Sequence, residues 1–391
     1  MKTKRVAILG STGSIGRQSL EVVRELPGIS VCALAAGSNE DLLAEQARAS
    51  GAEIVALARQ SADALRGKLP AGVKLIAGPE AATELIRQSR PDVVLSGIVG
   101  TAGLKPALAA IDCGATLAIA NKETLVMAGA IVMPAARDAG VAVLPVDSEH
   151  SAIFQCLSAG KRQEVQRVVI TASGGALRDW DAEAVKNATV EDALNHPTWN
   201  MGRKITVDSA TLINKALEVV EAHWLFGLSA EQIEVVIHPE SIVHSAVEFC
   251  DGSVIAQMGR PDMTGPIAYA LSYPDRAVRQ VAPLDLPALG AFTFRPCEGR
   301  FARAVRLGYN VIRRGGAAGA VLNSANEAAV EAFLDGKICF GQIVPIVEEI
   351  LNRSPQTGEI NLEALIESDR RARREVTEMT EAGTKRLTID N

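Results

Sequence analysis

The sequence predicts an α/β chain in three parts: an N-terminal Rossmann-like domain over 1–146, a central α+β domain with a largely antiparallel sheet over 147–276, and a small α-helical C-terminal domain over 301–391. Three observations carry this. Strand-like and helix-like segments alternate through the first 146 residues, which is the pattern of a parallel sheet covered by helices. A glycine-rich turn, Gly10-Ser-Thr-Gly13-Ser-Ile-Gly16, joins the first strand to the first helix. After about residue 300 the helical period dominates to the end.

In order, apolar β-branched runs predict strands at 5–9, 29–36, 53–57, 73–76, 92–96, 116–120 and 141–146. Ala-, Leu-, Glu- and Arg-rich stretches such as 14–26 and 40–49 predict helices between them. The central part mixes strands at 167–171, 234–237, 242–248 and 253–258 with a helix over 209–225. Asp251-Gly252 between the last two strands signals a hairpin, so this sheet is expected to be open and largely antiparallel. Residues 277–300 are rich in Pro and Leu without a clear period and read as a linker or connecting arm. Helices are expected at 301–314, 317–335, 341–352 and 361–379.

Composition narrows the functions. With 391 residues, two or three domains are expected. A net charge of −6 and 4% aromatic residues offer neither a basic stripe nor stacking platforms, which argues against nucleic acid. The six cysteines, at 32, 113, 156, 250, 297 and 339, form no C-x-x-C pair and read as reduced core residues. No secretory leader and no run of about 18 apolar residues is visible, so no membrane span and a cytoplasmic location are expected.

The glycine-rich turn allows a close backbone approach, and the following helix N-terminus faces an anion, as a pyrophosphate requires. The alternative is a turn that binds nothing. The second strand ends in Gly37-Ser38-Asn39, without the Asp or Glu that would hold a ribose 2′-hydroxyl. Small polar groups there leave room for a 2′-phosphate and favour NADP. Two further strand ends, 96–100 and Ala120-Asn121-Lys122-Glu123, should line the same crevice, although Asn121 is equally an ordinary helix start.

The densest polar stretches are 146–150 and 195–221. Asp147 and Glu149 stand two apart after an apolar run, so in an extended chain both carboxylates share a face. Asn214, Lys215 and Glu218 cluster on one helix face, opposite a core stripe of Leu212, Ala216, Val219 and Val220. Asp147, Glu149 and Glu218 together suit a hard divalent cation. A helix cap and a surface ion pair are the plain alternative. Ser173-Gly174-Gly175 after a strand, with Ser209, Asn214 and Lys215 near a helix N-terminus, suits a phosphate. Residues 196–202, with His196 and Trp199, have the composition of a mobile loop. A semialdehyde or homoserine dehydrogenase shares the glycine-rich start but has no use for the carboxylate trio. A non-catalytic NADP sensor has no use for the polar residues of 147–218.

Taken together these stretches resemble the 1-deoxy-D-xylulose 5-phosphate reductoisomerase family of the non-mevalonate isoprenoid pathway. The resemblance runs through LGSTGSIG at 9–16, ANKE at 120–123, PVDSEHSAIFQCL at 145–157, TASGG at 171–175, the block at 196–222, HPESIVHS at 238–245 and LNSANEAAVEAFL at 322–334. It implies that 1–146 is an NADP-binding domain and 147–276 the catalytic and dimerisation domain of a homodimer that uses NADPH and Mg²⁺ or Mn²⁺ to rearrange a sugar phosphate by retro-aldol and aldol steps and then reduce it. It implies Asp147, Glu149 and Glu218 as metal ligands, and Ser148, Ser173, His196, Ser209, Asn214 and Lys215 as substrate-binding residues. It implies Thr12, Gly13, Ser14, Ile15, Asn121, Glu123 and Gly202 as NADPH contacts. Lys122 corresponds to a substrate-side lysine beside the nicotinamide, and Trp199 and Met201 to a flexible flap. Catalytic roles are expected for Glu149, Lys122 and His196. Ser38 departs from the basic residue that many members carry there, and Ala176-Leu177 departs from the frequent Pro-Phe.

Overall fold

The computed structural model describes residues 3–278, 281–355 and 360–389 of the chain. It divides into two compact units, Met1–Thr124 with Val132–Ser151 and Asp262–Pro283, and Leu125–Ile131 with Ala152–Pro261 and Leu284–Asn391.

The first unit is built on seven strands: β1 Lys4–Leu9, β2 Ile29–Ala36, β3 Ile54–Leu57, β4 Lys74–Ala77, β5 Val93–Ser96, β6 Thr116–Ile119 and β7 Val143–Pro145. Their order is β4-β3-β2-β1-β5-β6-β7, and every pairing is parallel. Their near-continuous apolar runs follow from this, because a parallel sheet is covered on both faces. The chain leaves β1 in one direction as far as β4 and returns to its other side at β5. The carboxyl ends of β1 and β5 therefore form the switch point where ligands bind. Helix Thr264–Ser272 also belongs here, and Lys4 Nζ donates to Leu271 O at 2.9 Å.

The second unit holds a five-stranded sheet of β8 Val165–Ala172, β9 Ile233–Ile237, β10 Val243–Phe249, β11 Val254–Met258 and β12 Arg295–Pro296. The order is β11-β10-β8-β9-β12, with only β8 and β9 parallel. The Asp251-Gly252 hairpin forms as expected, and Gly252 takes φ +84°. The segment read as a linker contributes β12, which closes the β9 edge by backbone pairing that its Pro-rich composition does not advertise. Helices Arg300–Arg314, Ala318–Leu334 and Ile343–Arg353 follow the predicted ranges closely, whereas Leu362–Ile389 starts as expected but continues well beyond the predicted end at 379.

Two local expectations fail. The helix expected over 209–225 is two helices, Arg203–Thr211 and Ile213–Phe226, broken at Leu212 in the left-handed region (φ 62°, ψ 13°). Leu212 is 2% exposed, and burial of its side chain holds a conformation that costs a non-glycine residue about 1–2 kcal/mol. The cysteine expectation holds for Cys32 and Cys156, which are buried and free. Cys250 and Cys339 are also free but exposed.

Candidate active site

In the first unit the glycine-rich turn is held tightly. Gly10 N–H and Ser11 N–H both donate to Ala35 O at 2.8 and 2.9 Å, and Gln46 Nε2 donates to Ser11 O at 2.8 Å. Gly10 has φ +75°, and a Cβ there would lie 2.5 Å from Gly97 O. A Cβ on Gly16 would lie 2.3 Å from Gly10 O. Both positions admit only glycine, and the backbone of the β1 turn comes to rest against that of the β5 turn. Helix Ser14–Glu25 starts at Gly13 with no side-chain cap and no acidic residue in its first turn, so its amide end is available to an anion. Ser11 Oγ is fully buried without a hydrogen-bond partner among the described residues. These features fit a dinucleotide.

The other expected cofactor residues divide. Gly37, Ser38 and Asn39 are exposed beyond β2, and Asn39 caps helix Glu40–Ser50 through Leu42 N–H. Asn121 proves to be a helix start: its Oδ1 accepts from Thr124 N–H at 3.0 Å, and its Nδ2 donates to Ile98 O and Gly100 O. That amide ties the β5 and β6 turns together. Glu123 is buried in the first turn of the same helix. Gly202, in the second unit, caps helix Arg203–Thr211 by accepting from Thr206 N–H and Oγ1.

The carboxylates of 147–149 are not placed by strand alternation. β7 ends at Pro145 and helix Ser148–Cys156 begins at once, so Asp147 precedes a helix and Glu149 lies in its first turn. Asp147 O accepts from Ser151 N–H at 2.8 Å. Lys122 Nζ lies 2.5 Å from Asp147 Oδ2, with the two side chains 5% and 14% exposed. Ser148 Oγ–H donates to Glu149 Oε2 at 2.7 Å. His150 is fully buried beside them. Asp147, Ser148 and Glu149 make an oxygen-rich donor set, which fits Mg²⁺ or Mn²⁺.

In the second unit the Ser-Gly-Gly turn follows β8. Gly174 and Gly175 take φ +85° and +73°. A Cβ on Gly175 would lie 2.5 Å from Ser209 O, so the turn packs directly on helix Arg203–Thr211. Ser209 therefore reaches the turn from the last part of a helix, not from a helix N-terminus. The expected dipole contribution at Ser209 is absent, and only Asn214 and Lys215 occupy a first turn. Lys215 Nζ donates to Thr171 O at 2.7 Å and lies 2.5 Å from Glu218 Oε2. Asn214 Nδ2 donates to Glu218 Oε1 at 2.5 Å. The helix-face cluster read from spacing thus forms.

His196 links the turn to the loop. Its Nδ1 accepts from Thr198 N–H and Trp199 N–H at 3.1 and 3.0 Å, which places the ring proton on Nε2. Nε2–H donates to Ser173 Oγ at 3.0 Å, and Gly175 N–H donates to the same oxygen at 3.1 Å. Ser173 accepts both bonds and keeps its own proton to offer an anion. Burial, with the nearby Arg178 guanidinium, pushes His196 down to about 4, so it is neutral at physiological pH. Trp199 packs near His244, with ring centroids 6.4 Å apart. Arg178 was not foreseen; a basic residue three positions beyond a Ser-Gly-Gly turn was the signal available.

A doubly wound sheet with a glycine turn at its switch point, and a second unit whose hydroxyls, amide and lysine suit a phosphate, define a nucleotide-dependent α/β enzyme. Sequence profiles of 1-deoxy-D-xylulose 5-phosphate reductoisomerase match residues 6–129, and profiles of its C-terminal domains match 143–226 and 258–375. The Gloeobacter violaceus enzyme of that name is 48% identical over 391 residues, covering 99% of this chain and 100% of the relative. The one from Rippkaea orientalis is 48% identical over 381 residues, covering 95% and 96%. Among solved structures, the Zymomonas mobilis enzyme in complex with NADPH superposes with a TM-score of 0.91 at 40% identity, covering 97% of this chain and 100% of that one. A reductoisomerase in complex with NADPH, fosmidomycin and magnesium gives 0.91 at 40% identity, covering 97% and 98%. The chain belongs to the 1-deoxy-D-xylulose 5-phosphate reductoisomerase family.

Proposed function

We propose that the chain converts 1-deoxy-D-xylulose 5-phosphate to 2-C-methyl-D-erythritol 4-phosphate, by rearrangement of the carbon skeleton and reduction with NADPH, in isoprenoid precursor synthesis. The observation that carries this is the end-to-end likeness to enzymes of that name, including structures solved with NADPH and with magnesium. A bound divalent ion supplies Lewis-acid charge for the substrate's oxygens, and NADPH supplies the hydride.

The residue roles are as follows. Thr12, Gly13, Ser14, Ile15, Gly37, Ser38, Asn39, Asn121, Glu123 and Gly202 serve NADPH. Asp147, Glu149 and Glu218 are the metal ligands. Their carboxylate oxygens support this, since a hard divalent ion takes oxygen ligands; the ammonium groups beside Asp147 and Glu218 occupy the same oxygens and would give way to it. Ser173, Ser209, Asn214 and Lys215 bind the phosphate. His196 donates as a neutral imidazole and anchors the loop that carries Trp199. Lys122, Ser148 and Glu149 serve the reacting end, where Ser148 orients the Glu149 carboxylate for proton transfer. Phosphate binding far from the reacting carbons supplies energy for closing the loop.

The protein acts as a homodimer in the cytoplasm. The exposed apolar residues Val254 and Ile255 on β11, an edge strand, support a partner surface. No described helix is long and apolar enough to cross a membrane. Light scattering in solution tests the dimer.

The test of function is NADPH consumption with 1-deoxy-D-xylulose 5-phosphate, with and without Mg²⁺ or Mn²⁺. Metal-dependent turnover that is lost in Asp147→Asn is expected. NADPH binding without turnover under either metal would overturn the proposal.

A further inference from the structure

Asp208 immediately precedes Ser209 in helix Arg203–Thr211 and is 1% exposed. Its carboxylate takes a partner at each oxygen. Lys204 Nζ lies 2.9 Å from Oδ2, and Asn326 Nδ2 donates to Oδ1 at 2.8 Å. Lys204 sits one turn earlier, two residues after the end of the His196 loop at Gly202. Asn326 is fully buried in helix Ala318–Leu334, and its own Oδ1 finds no hydrogen-bond partner among the described residues.

For stability alone this is a poor arrangement. A buried carboxylate loses hydration, and a buried amide oxygen left without a partner carries its full desolvation cost. Apolar side chains of similar size would fill the same space without either penalty. What the polar version supplies is direction, because hydrogen bonds to a charged group fix angle as well as distance. The other side of the same helix turn is fixed too. Ser209 O rests against Gly175 so closely that a Cβ there would approach to 2.5 Å. The backbone at Ser209 is thus held against the Ser-Gly-Gly turn, while its neighbour Asp208 is tied to Lys204 and to Asn326, 118 residues away in sequence.

We propose that Asp208, acting through Lys204 and Asn326, is a positioning residue for phosphate recognition. It keeps Ser209 in register with Ser173 on the neighbouring turn and gives the His196 loop a fixed base. This rests on the assignment of Ser173 and Ser209 to the substrate phosphate.

Kinetics and thermal melting of the full chain carrying Asp208→Asn, Asn326→Asp and the reciprocal exchange D208N/N326D test it. Asp208→Asn keeps the contact with Asn326 and removes the ion pair with Lys204. The KM for 1-deoxy-D-xylulose 5-phosphate should rise about tenfold, inhibition by inorganic phosphate should weaken in parallel, and the KM for NADPH should not move. Asn326→Asp sets two carboxylates face to face and should raise the substrate KM further while lowering Tm. The reciprocal exchange restores a carboxylate–amide bond in the opposite direction but not the ion pair with Lys204, so it should recover the further losses of Asn326→Asp and return Tm and substrate KM to about the Asp208→Asn level, a comparison that holds even if Asn326→Asp alone fails to fold. A structural role alone would move Tm and leave substrate KM and phosphate inhibition at parental values. That result, or a risen substrate KM without weakened phosphate inhibition, overturns the proposal. A parent chain that shows no turnover overturns the functional assignment instead.

Discussion

Lys122→Met removes an ammonium that lies 2.5 Å from the Asp147 carboxylate, in a pair whose side chains are 5% and 14% exposed. Two unit charges at that separation attract by about 6–7 kcal/mol at an effective dielectric near ~20. Loss of hydration offsets much of this, and breaking a buried pair costs about 3–5 kcal/mol in practice. Asp147 keeps some contact with solvent, so the lower end, about 3 kcal/mol, is expected. Methionine preserves the volume of the lysine stem, so no cavity term adds to it. For a folding unit of this size that is a fall in Tm of about 6–12 °C in metal-free buffer. If Asp147 is a metal ligand, a divalent ion supplies the charge that the ammonium supplied. The deficit should then shrink in millimolar Mg²⁺, and Mg²⁺ should bind the variant more tightly than the parent, while turnover falls. Calorimetric melting of parent and variant, with and without Mg²⁺, reads all of this except turnover. A Tm deficit that Mg²⁺ does not change would refute the role of Asp147 as a ligand. No deficit in metal-free buffer would refute the energetic reading of the ion pair.

Two further outcomes follow from other parts of the molecule. Gly16→Ala places a Cβ 2.3 Å from Gly10 O and 2.4 Å from Ser11 Cα, all backbone that cannot swing away, so the helix must shift. Overpacking of this kind costs about 1–3 kcal/mol, and titration with NADPH should show affinity reduced by about tenfold or more; parental affinity would show that the helix end does not approach the cofactor. His196 has a folded-state value of about 4 against an ordinary 6.5, and the first cause is burial. The lowered value means the unfolded chain takes up the proton first. Its contribution is therefore complete above about pH 6.5, falls as pH drops from there towards about 4, and changes no further below that. The Tm difference between the parent and His196→Asn should follow that course, and a difference independent of pH across the window would show that the ring is not held neutral.

Much of the fold and part of the site were legible along the chain, for local reasons. Strand positions follow from apolar β-branched runs, and parallel pairing from the helices between them. The glycine turn could be read because Gly10 and Gly16 are needed where a side chain has no room. The cluster of Asn214, Lys215 and Glu218 was legible because helix geometry alone brings residues three and four apart together. Tertiary structure decided the rest. Residues 209–225 have an unbroken helical pattern, and only core burial of Leu212 ends one helix there and starts another, which removes Ser209 from a helix N-terminus. The Pro-rich arm became β12 because β9 offered an open edge, which no residue of the arm records. Arg178 beside His196, and Asp208 against Asn326, are meetings of groups far apart in sequence or across a turn. Local propensity and spacing reach only as far as a helix turn or a strand pair, and such contacts exist only once the core has closed.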